Sequence, residues 1–551
     1  MKRIVLFFLD AVIIRPVFAQ VTQEWVQRYN GSANSYDIVN KLLLDQNANV
    51  YVYGTSNEVN HSTDLTILKY NSGGIFQWRY SYNGSSNSFD QLTYAIQDEQ
   101  GDSYITGTAI ENDTVQIVLL KVSSGGNLVW NKSFKGHNTS GVSGRSISLF
   151  NNNTLALFWS ELDVISNKYK ARISYFTTTG QNISEILMDD AIINTAGPVK
   201  ILYDDAGQTL AALNILDTIT GLAKPTVYNA TQNWYRSITG SANVSHSLVD
   251  MAIDNNNNVI ALAMVVNNGT SQDFRTVKFS QNGTVLWQRD FNGNQNGDDY
   301  PYAVITDAQN NIYVTGLSRA VGVGTEDAVT IKYDANGNVK WTKLYNGIGS
   351  GTDQGISLCV DNNMNVYVGG ATDLGGIKLG FLTIKYDSLG NQLWTKTYNF
   401  SSSSPEDFVY SIAVNSIHDV YITGISFSNA NDYDFATIKY SQTIGIQKIS
   451  DEIPQSFSLF QNYPNPFNPG TKISFRIPLS KRGYRGLSVK LIIYDILGKE
   501  VSTLVDEMLQ PGTYQVKWYG TGFPSGIYYY TLIVDDNNRV FRETKKLVLV
   551  K

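Results

Sequence analysis

Aspartate recurs along this chain at intervals that could build a site. One set, Asp37, Asp90, Asp299, Asp353 and Asp407, follows a tryptophan by twelve or thirteen residues. A second set, Asp64, Asp273, Asp327 and Asp434, comes shortly before a strand-like run. Carboxylates repeated around a closed ring could converge on a central cation or a polar ligand. Their repetition points the other way, toward turns in which each Asp bonds nearby backbone N–H groups. An asymmetric active site needs residues that do not repeat. Asp334-Ala335-Asn336-Gly337-Asn338 and Asp254-Asn255-Asn256-Asn257-Asn258 look like calcium loops but lack the ordered acids and distant Glu of one. They read as hairpin turns.

Other chemistry is sparse. Cys359 is the single cysteine, so no intramolecular disulfide can form, and its apolar run Ile356–Val360 reads as a strand burying a small side chain. The four histidines, His61, His137, His246 and His418, show no ligand spacing. No Gly-x-Ser-x-Gly elbow, His-Glu-x-x-His pair or phosphate loop is present. Paired acids for glycosidic hydrolysis would have to meet across repeats. The sequence therefore names no catalytic, cofactor-binding or metal-ligating residue, and no cofactor is expected.

The elements that would carry any site are set by tryptophan. Trp25, Trp78, Trp130, Trp234, Trp287, Trp341 and Trp394 are separated by 53, 52, 104, 53, 54 and 53 residues. The 104 is two steps with one Trp lost, and Ser184, four residues after Gly180, takes the empty place. Each unit carries four short strands: a Trp strand, a second such as Gly355–Val360, a third such as Val366–Gly370 and a fourth such as Phe381–Tyr386. Gly74, Gly126, Gly283, Gly337 and Gly390 sit four residues before a Trp, where a tight hairpin needs positive φ. A four-stranded unit of this length is a β-propeller blade. Eight blades are expected over residues 20–442, with seven as the alternative because units three and four are degenerate. The Trp25 strand should pair with the strand ending at Tyr440 and close the ring, which removes the open sheet edges.

The third and fourth strands, as in Ile312-Tyr313-Val314-Thr315-Gly316, Val420–Gly424, Thr330-Ile331-Lys332-Tyr333 and Thr437–Tyr440, resemble the SBBP-type β-propeller repeat of secreted bacterial proteins. That resemblance implies a fold and no shared catalytic residues.

Charge is spread unevenly. The chain carries −6 overall. Residues 451–551 carry 13 Lys+Arg against 9 Asp+Glu, or +4, which leaves −10 for the remainder. Neither part has the basic clustering of a nucleic-acid surface, so nucleic acid is excluded as a partner. Met1-Lys2-Arg3, the apolar run Ile4–Leu9 and Val17-Phe18-Ala19 before Gln20 read as a signal peptide over 1–19, cut between Ala19 and Gln20. No other run is long and apolar enough to span a bilayer, so no transmembrane segment is expected.

Past residue 442 the tryptophan ladder stops. A linker over 443–455 leads to a domain over 456–551, whose short strands and turns suggest a small Ig-like antiparallel β-sandwich. Pro464, Pro466 and Pro469 should hold its opening stretch extended. Tyr463-Pro464-Asn465-Pro466, Tyr494-Asp495 with Gly498-Lys499-Glu500-Val501, Pro511-Gly512-Thr513-Tyr514, Ser525-Gly526-Ile527-Tyr528 and Lys545-Lys546 appear in that order. This tail strongly resembles the type A C-terminal sorting domain of the type IX secretion system. The resemblance implies a Bacteroidota–Ignavibacteria kind of source and export through the periplasm to the outer surface or medium. The type IX machinery would be the tail's partner. The sorting residues it implies are Tyr463, Pro464, Asn465, Pro466, Gly512, Tyr514, Gly526, Tyr528, Lys545 and Lys546. The functional expectation is a secreted or cell-surface binding or scaffold protein with a glycan or protein ligand on the propeller face. A surface hydrolase or lyase acting on polysaccharide or protein, and an adhesin, are the alternatives. The balance is against an enzyme.

Overall fold

The computed structural model describes residues 21–550 apart from 137–138, 164, 166–167, 218, 294–295, 320–325, 350, 376–377, 401–405, 429–431, 443–446, 451, 480–486, 521–522 and 536–539. The described residues are all-β and divide into two compact units, residues 23–441 and the tail from 442 onward with the first described residues. Ala19 and Gln20, which flank the expected signal-peptide cut, lie outside the described residues.

Residues 23–441 form a β-propeller. Six of its sheets are four-stranded and antiparallel; a seventh, over residues 139–237, has seven strands. The first strands of these sheets touch one another in turn and build the inner wall. They are Ile38–Leu44, Gln91–Gln97, Thr139–Phe150, the end of Asn182–Tyr203, Ser247–Ile253, Asp299–Thr306, Gln354–Val360 and Asp407–Val414, and the last touches the first. The strand Val21–Tyr29 pairs with Tyr433–Gln442, so both ends of the ring meet in one sheet. Arg28 fastens that seam: its guanidinium donates to Asp434 at 2.9 Å and to Ser426 at 2.7 Å.

The sequence unit is out of phase with the sheet. A Trp strand pairs with the strand before it, as Trp341 does with Lys332 and Trp394 with Lys385. It is therefore the outer, last strand of its sheet. The cause is the short hairpin before each Trp, such as residues 334–338 between Tyr333 and Val339, which joins the Trp strand directly to its predecessor.

The degenerate third and fourth units, expected as two separate blades, instead share one continuous seven-stranded sheet. The strand Asn182–Tyr203 pairs along its first part with Lys168–Thr177 and along its last part with Thr209–Leu216. Ser184 pairs with Tyr175, the register at which other sheets pair Trp with Lys.

The tail has two four-stranded sheets whose apolar faces share one core, including Phe475, Val516 and Trp518 from one and Leu491, Tyr530 and Leu547 from the other. Gln447–Ser450, within the expected linker, pairs with Gly512–Tyr519 at a sheet edge.

Candidate functional site

The repeated residues hold the ring together. Indole Nε1 of Trp78 donates to the Ser124 carbonyl of the next sheet's hairpin at 3.2 Å, and Lys69 Nζ donates to the same oxygen at 2.9 Å. Trp287 and Lys278 share the Ala335 carbonyl in the same way, and Trp341 and Lys332 share Ser388. The glycine of that hairpin lies against the indole. A Cβ on Gly126 would come 2.6 Å from Trp78, and one on Gly337 would come 2.6 Å from Trp287. These glycines serve a positive φ and a close approach together. Trp234, Trp287, Trp341 and Trp394 are buried, and Trp25, Trp78 and Trp130 are half-buried. Ring faces of the third-strand tyrosines carry the lysines, as with Lys332 over Tyr313 at 5.1 Å.

The aspartates are structural too. Asp37 accepts from Gly31 N–H at 2.6 Å and Asn57 N–H at 2.7 Å; Asp90 accepts from Gly84 and Ile110. Asp299 accepts from Gly293, Asp353 from Gly347 and Asp373, and Asp407 from Phe427. Members of the second set stand near the first across sheet junctions: Asp434 by Asp37, Asp64 by Asp90, Asp273 by Asp299, Asp327 by Asp353. Burial, aided by these neighbouring carboxylates, pushes Asp37 up to about 7 and Asp90 and Asp299 up to about 6. His246 occupies the equivalent place in another sheet, and its Nδ1 accepts from Val266 N–H at 3.2 Å. Asp334 and Asp254 bind their own turns, Asp254 Oδ1 accepting from Asn256 and Asn258 N–H at 2.9 Å each. Among the described residues no group of three or more His, Cys, Asp or Glu side chains is placed to hold a metal ion.

With the repeat accounted for, the inner wall stands out. Each first strand has a register shift at the same place, leaving one bulged residue unpaired: Asn40, Thr93, Arg145, Val199, Val249, Tyr302, Ile356 and Tyr410. A bulge twists its strand and re-aims the extra residue. The position repeats at intervals of 50 to 54 residues while the residue there varies, the eight positions holding six residue types. This is the asymmetry a ligand site requires. Sequence reasoning missed it, although a signal existed. Buried positions in these strands fall three apart instead of two, as in Val39 and Leu42, Leu92 and Ala95, and Leu248 and Met251.

A cavity of about 380 Å³ opens on this wall, lined by Asn40, Gln91, Thr93, Tyr94, Ser143 and Arg145 among others. Lys41 lies with its Nζ 4.3 Å from the Tyr94 ring centre. Lys200 donates to Asp250 at 2.8 Å. Although burial disfavours the phenolate, Lys41 and Lys200 outweigh it and lower the pKa of Tyr94.

The tail residues expected to serve sorting mostly make contacts within the tail's own fold. Tyr514 and Tyr528 are buried and donate to the Gln510 and Pro524 carbonyls at 2.6 and 2.8 Å. Gly512 pairs with Ile477 and Gly526 with Leu549. Asn465 Oδ1 accepts from Val548 N–H, and Pro464 O accepts from Thr471 and Asn462. The proline stretch bends rather than running extended, with cis bonds before Pro464, Pro466 and Pro469. Tyr463 is 79% exposed, Pro464, Pro466 and Lys546 are also exposed, and Lys545 is half-buried. These exposed groups are what a partner could read.

No family model and no curated protein matches this chain. Among solved structures, a protein of unknown function from Dyadobacter fermentans is 8% identical, with 77% of this chain and 99% of that chain covered at a TM-score of 0.36. The β-propeller domain of the Trilobed protease from Pyrococcus furiosus is 11% identical, covering 65% and 95% at 0.38. The acylaminoacyl peptidase of Pyrococcus horikoshii is 11% identical, covering 73% and 60%, also at 0.38.

Proposed function

We propose that this protein is a secreted or surface-held β-propeller that binds a ligand on its inner wall and is exported by its tail. The observation that carries the binding role is the contrast within the ring. Repeating residues are consumed in latches and turns, and the bulged positions vary freely. On that wall Asp250 is tied to Lys200, and Arg145 lines the cavity, an arrangement suited to holding a ligand.

The same bulges support a ring of eight blades of the SBBP type, since they recur through the degenerate region, with Asn182–Tyr203 serving two blades in succession. The two-sheet core of the tail is compatible with an Ig-like sandwich and with the type A sorting domain of type IX secretion. Its buried tyrosines and glycines would then set the fold, and Tyr463, Lys545 and Lys546 would face the machinery.

Two measurements test this. The full chain on glycan and peptide arrays should retain one chemical class without altering it; release of a product would establish an enzyme instead. In the native host, a chain ending at Gln442 should stop in the periplasm. Its appearance at the surface or in the medium would end the sorting role.

A further inference from the structure

Resting on that binding role, we propose that the inner-wall cavity receives an acidic saccharide, its carboxylate or sulfate set against Lys41 and Arg145. Four successive first strands line this cavity, with Arg145 in the lining and Lys41 against the lining residue Tyr94, although the propeller side of the chain is strongly acidic. Among the described residues neither Lys41 nor Arg145 has a carboxylate within ion-pair distance, whereas Lys200 is neutralised by Asp250. An anion in the cavity would supply both cations with a counter-charge.

The side chains of two lining residues are not fixed by bonds at every polar atom. Among the described residues Arg145 Nε and Asn40 Oδ1 are shielded from solvent and have no hydrogen-bond partner. One is a donor and the other an acceptor. A guanidinium matches an oxyanion with its fork of N–H groups, and an amide oxygen can accept from a hydroxyl. The remaining lining of Gln91, Thr93, Tyr94 and Ser143 offers amide and hydroxyl groups, the natural complement of a polyol body. The volume of about 380 Å³ is at the small-ligand end of binding cavities. It suits one or two sugar rings better than a folded partner.

Calorimetry on the full chain tests this with digalacturonate, galactose 6-sulfate, neutral galactobiose and an acidic dipeptide. At least one acidic sugar should bind roughly tenfold or more tightly than galactobiose and weaken as salt is raised. Arg145→Gln and Lys41→Gln should each cost about tenfold, the scale of one charge-assisted bond, with Arg145→Lys losing less. Thr93→Glu, which sets a carboxylate in the cavity, should abolish binding even where the Arg145 variants fold poorly. Equal binding of acidic and neutral sugars, dipeptide binding as tight as that of the acidic sugar, or an Arg145→Gln variant that melts early yet binds normally would each overturn the proposal. Chromatography of the sugars after incubation separates the two readings. Cleavage would refute the non-catalytic role and leave the site standing, while absence of any binding would remove the site and leave the propeller's role open.

Discussion

Neighbouring sheets of the propeller are joined in two different ways. At the regular junctions a side-chain latch operates: an indole and a lysine converge on one carbonyl of the next hairpin, and a glycine lets the ring lie flat against it. At the junction marked by Ser184 there is no indole. The backbone itself runs through, as the single strand Asn182–Tyr203 leaves one set of partners and takes up another. Ser184 is exposed and pairs with Tyr175 in the register where Trp is found elsewhere. The comparison teaches that a tryptophan can be lost from such a repeat where chain continuity already couples the sheets. A latch between separate strands has no such substitute.

Breaking a latch should therefore produce the largest effect. Trp341 is 7% exposed and donates to the Ser388 carbonyl. Trp341→Ala removes both its ring packing and that bond, with an expected cost of about 3–5 kcal/mol in urea unfolding. A variant as stable as the parent would show that the indole is dispensable at ordinary junctions as well. Gly337→Ala attacks the same kind of latch from the other side. Its Cβ would meet the Trp287 indole at 2.6 Å on a backbone with φ of 77°, and a loss of about 1–3 kcal/mol is expected. Ser184→Trp is the sharpening experiment. If continuity has replaced the latch, restoring the indole should change stability by no more than about 0.5 kcal/mol, as for an ordinary surface substitution. A clear gain would mean that the junction is merely a weakened latch.

The tryptophan period and strands such as Ile312–Gly316 and Thr330–Tyr333 could be read directly because they carry the latch residues, which recur at the regular junctions between sheets. The seam between Val21–Tyr29 and Tyr433–Gln442 followed from counting strands at the two ends. Sheet phase was harder, since a period fixes spacing and says nothing of where each sheet begins. The inner-wall site was hidden for a different reason. Arg145, Lys200 and Asn40 are distant in sequence, share no residue type and are brought together by ring closure and by a bulge that composition does not reveal. His246 was set aside for lacking ligand spacing, although its place six residues after Gly240 repeats that of Asp37 after Gly31 and Asp90 after Gly84.

That substitution of His246 for an aspartate sets two similar turns against each other in their response to pH. Asp90 and His246 both accept a backbone N–H bond in the same kind of turn, from Ile110 and Val266 respectively. Burial raises the pKa of Asp90 to about 6, so the native state holds this proton more tightly than the unfolded chain does. Its contribution is greatest below the ordinary carboxylate value and is lost as pH rises from about 4 to about 6. Burial, with Arg275 nearby, lowers the pKa of His246. The unfolded chain then takes up that proton first, and the stability His246 supplies when neutral falls as pH drops through its depressed native value and the ordinary 6.5. Protonation would also remove the lone pair that Val266 N–H uses. Melting temperature measured from pH 4 to 8 should respond in opposite senses to the two replacements. Relative to the parent, Asp90→Asn should make stability rise more, or fall less, with increasing pH, and His246→Asn should do the reverse. Curves for both variants that run parallel to the parent across this range would show that neither turn titrates with folding, and the two positions would then be interchangeable acceptors.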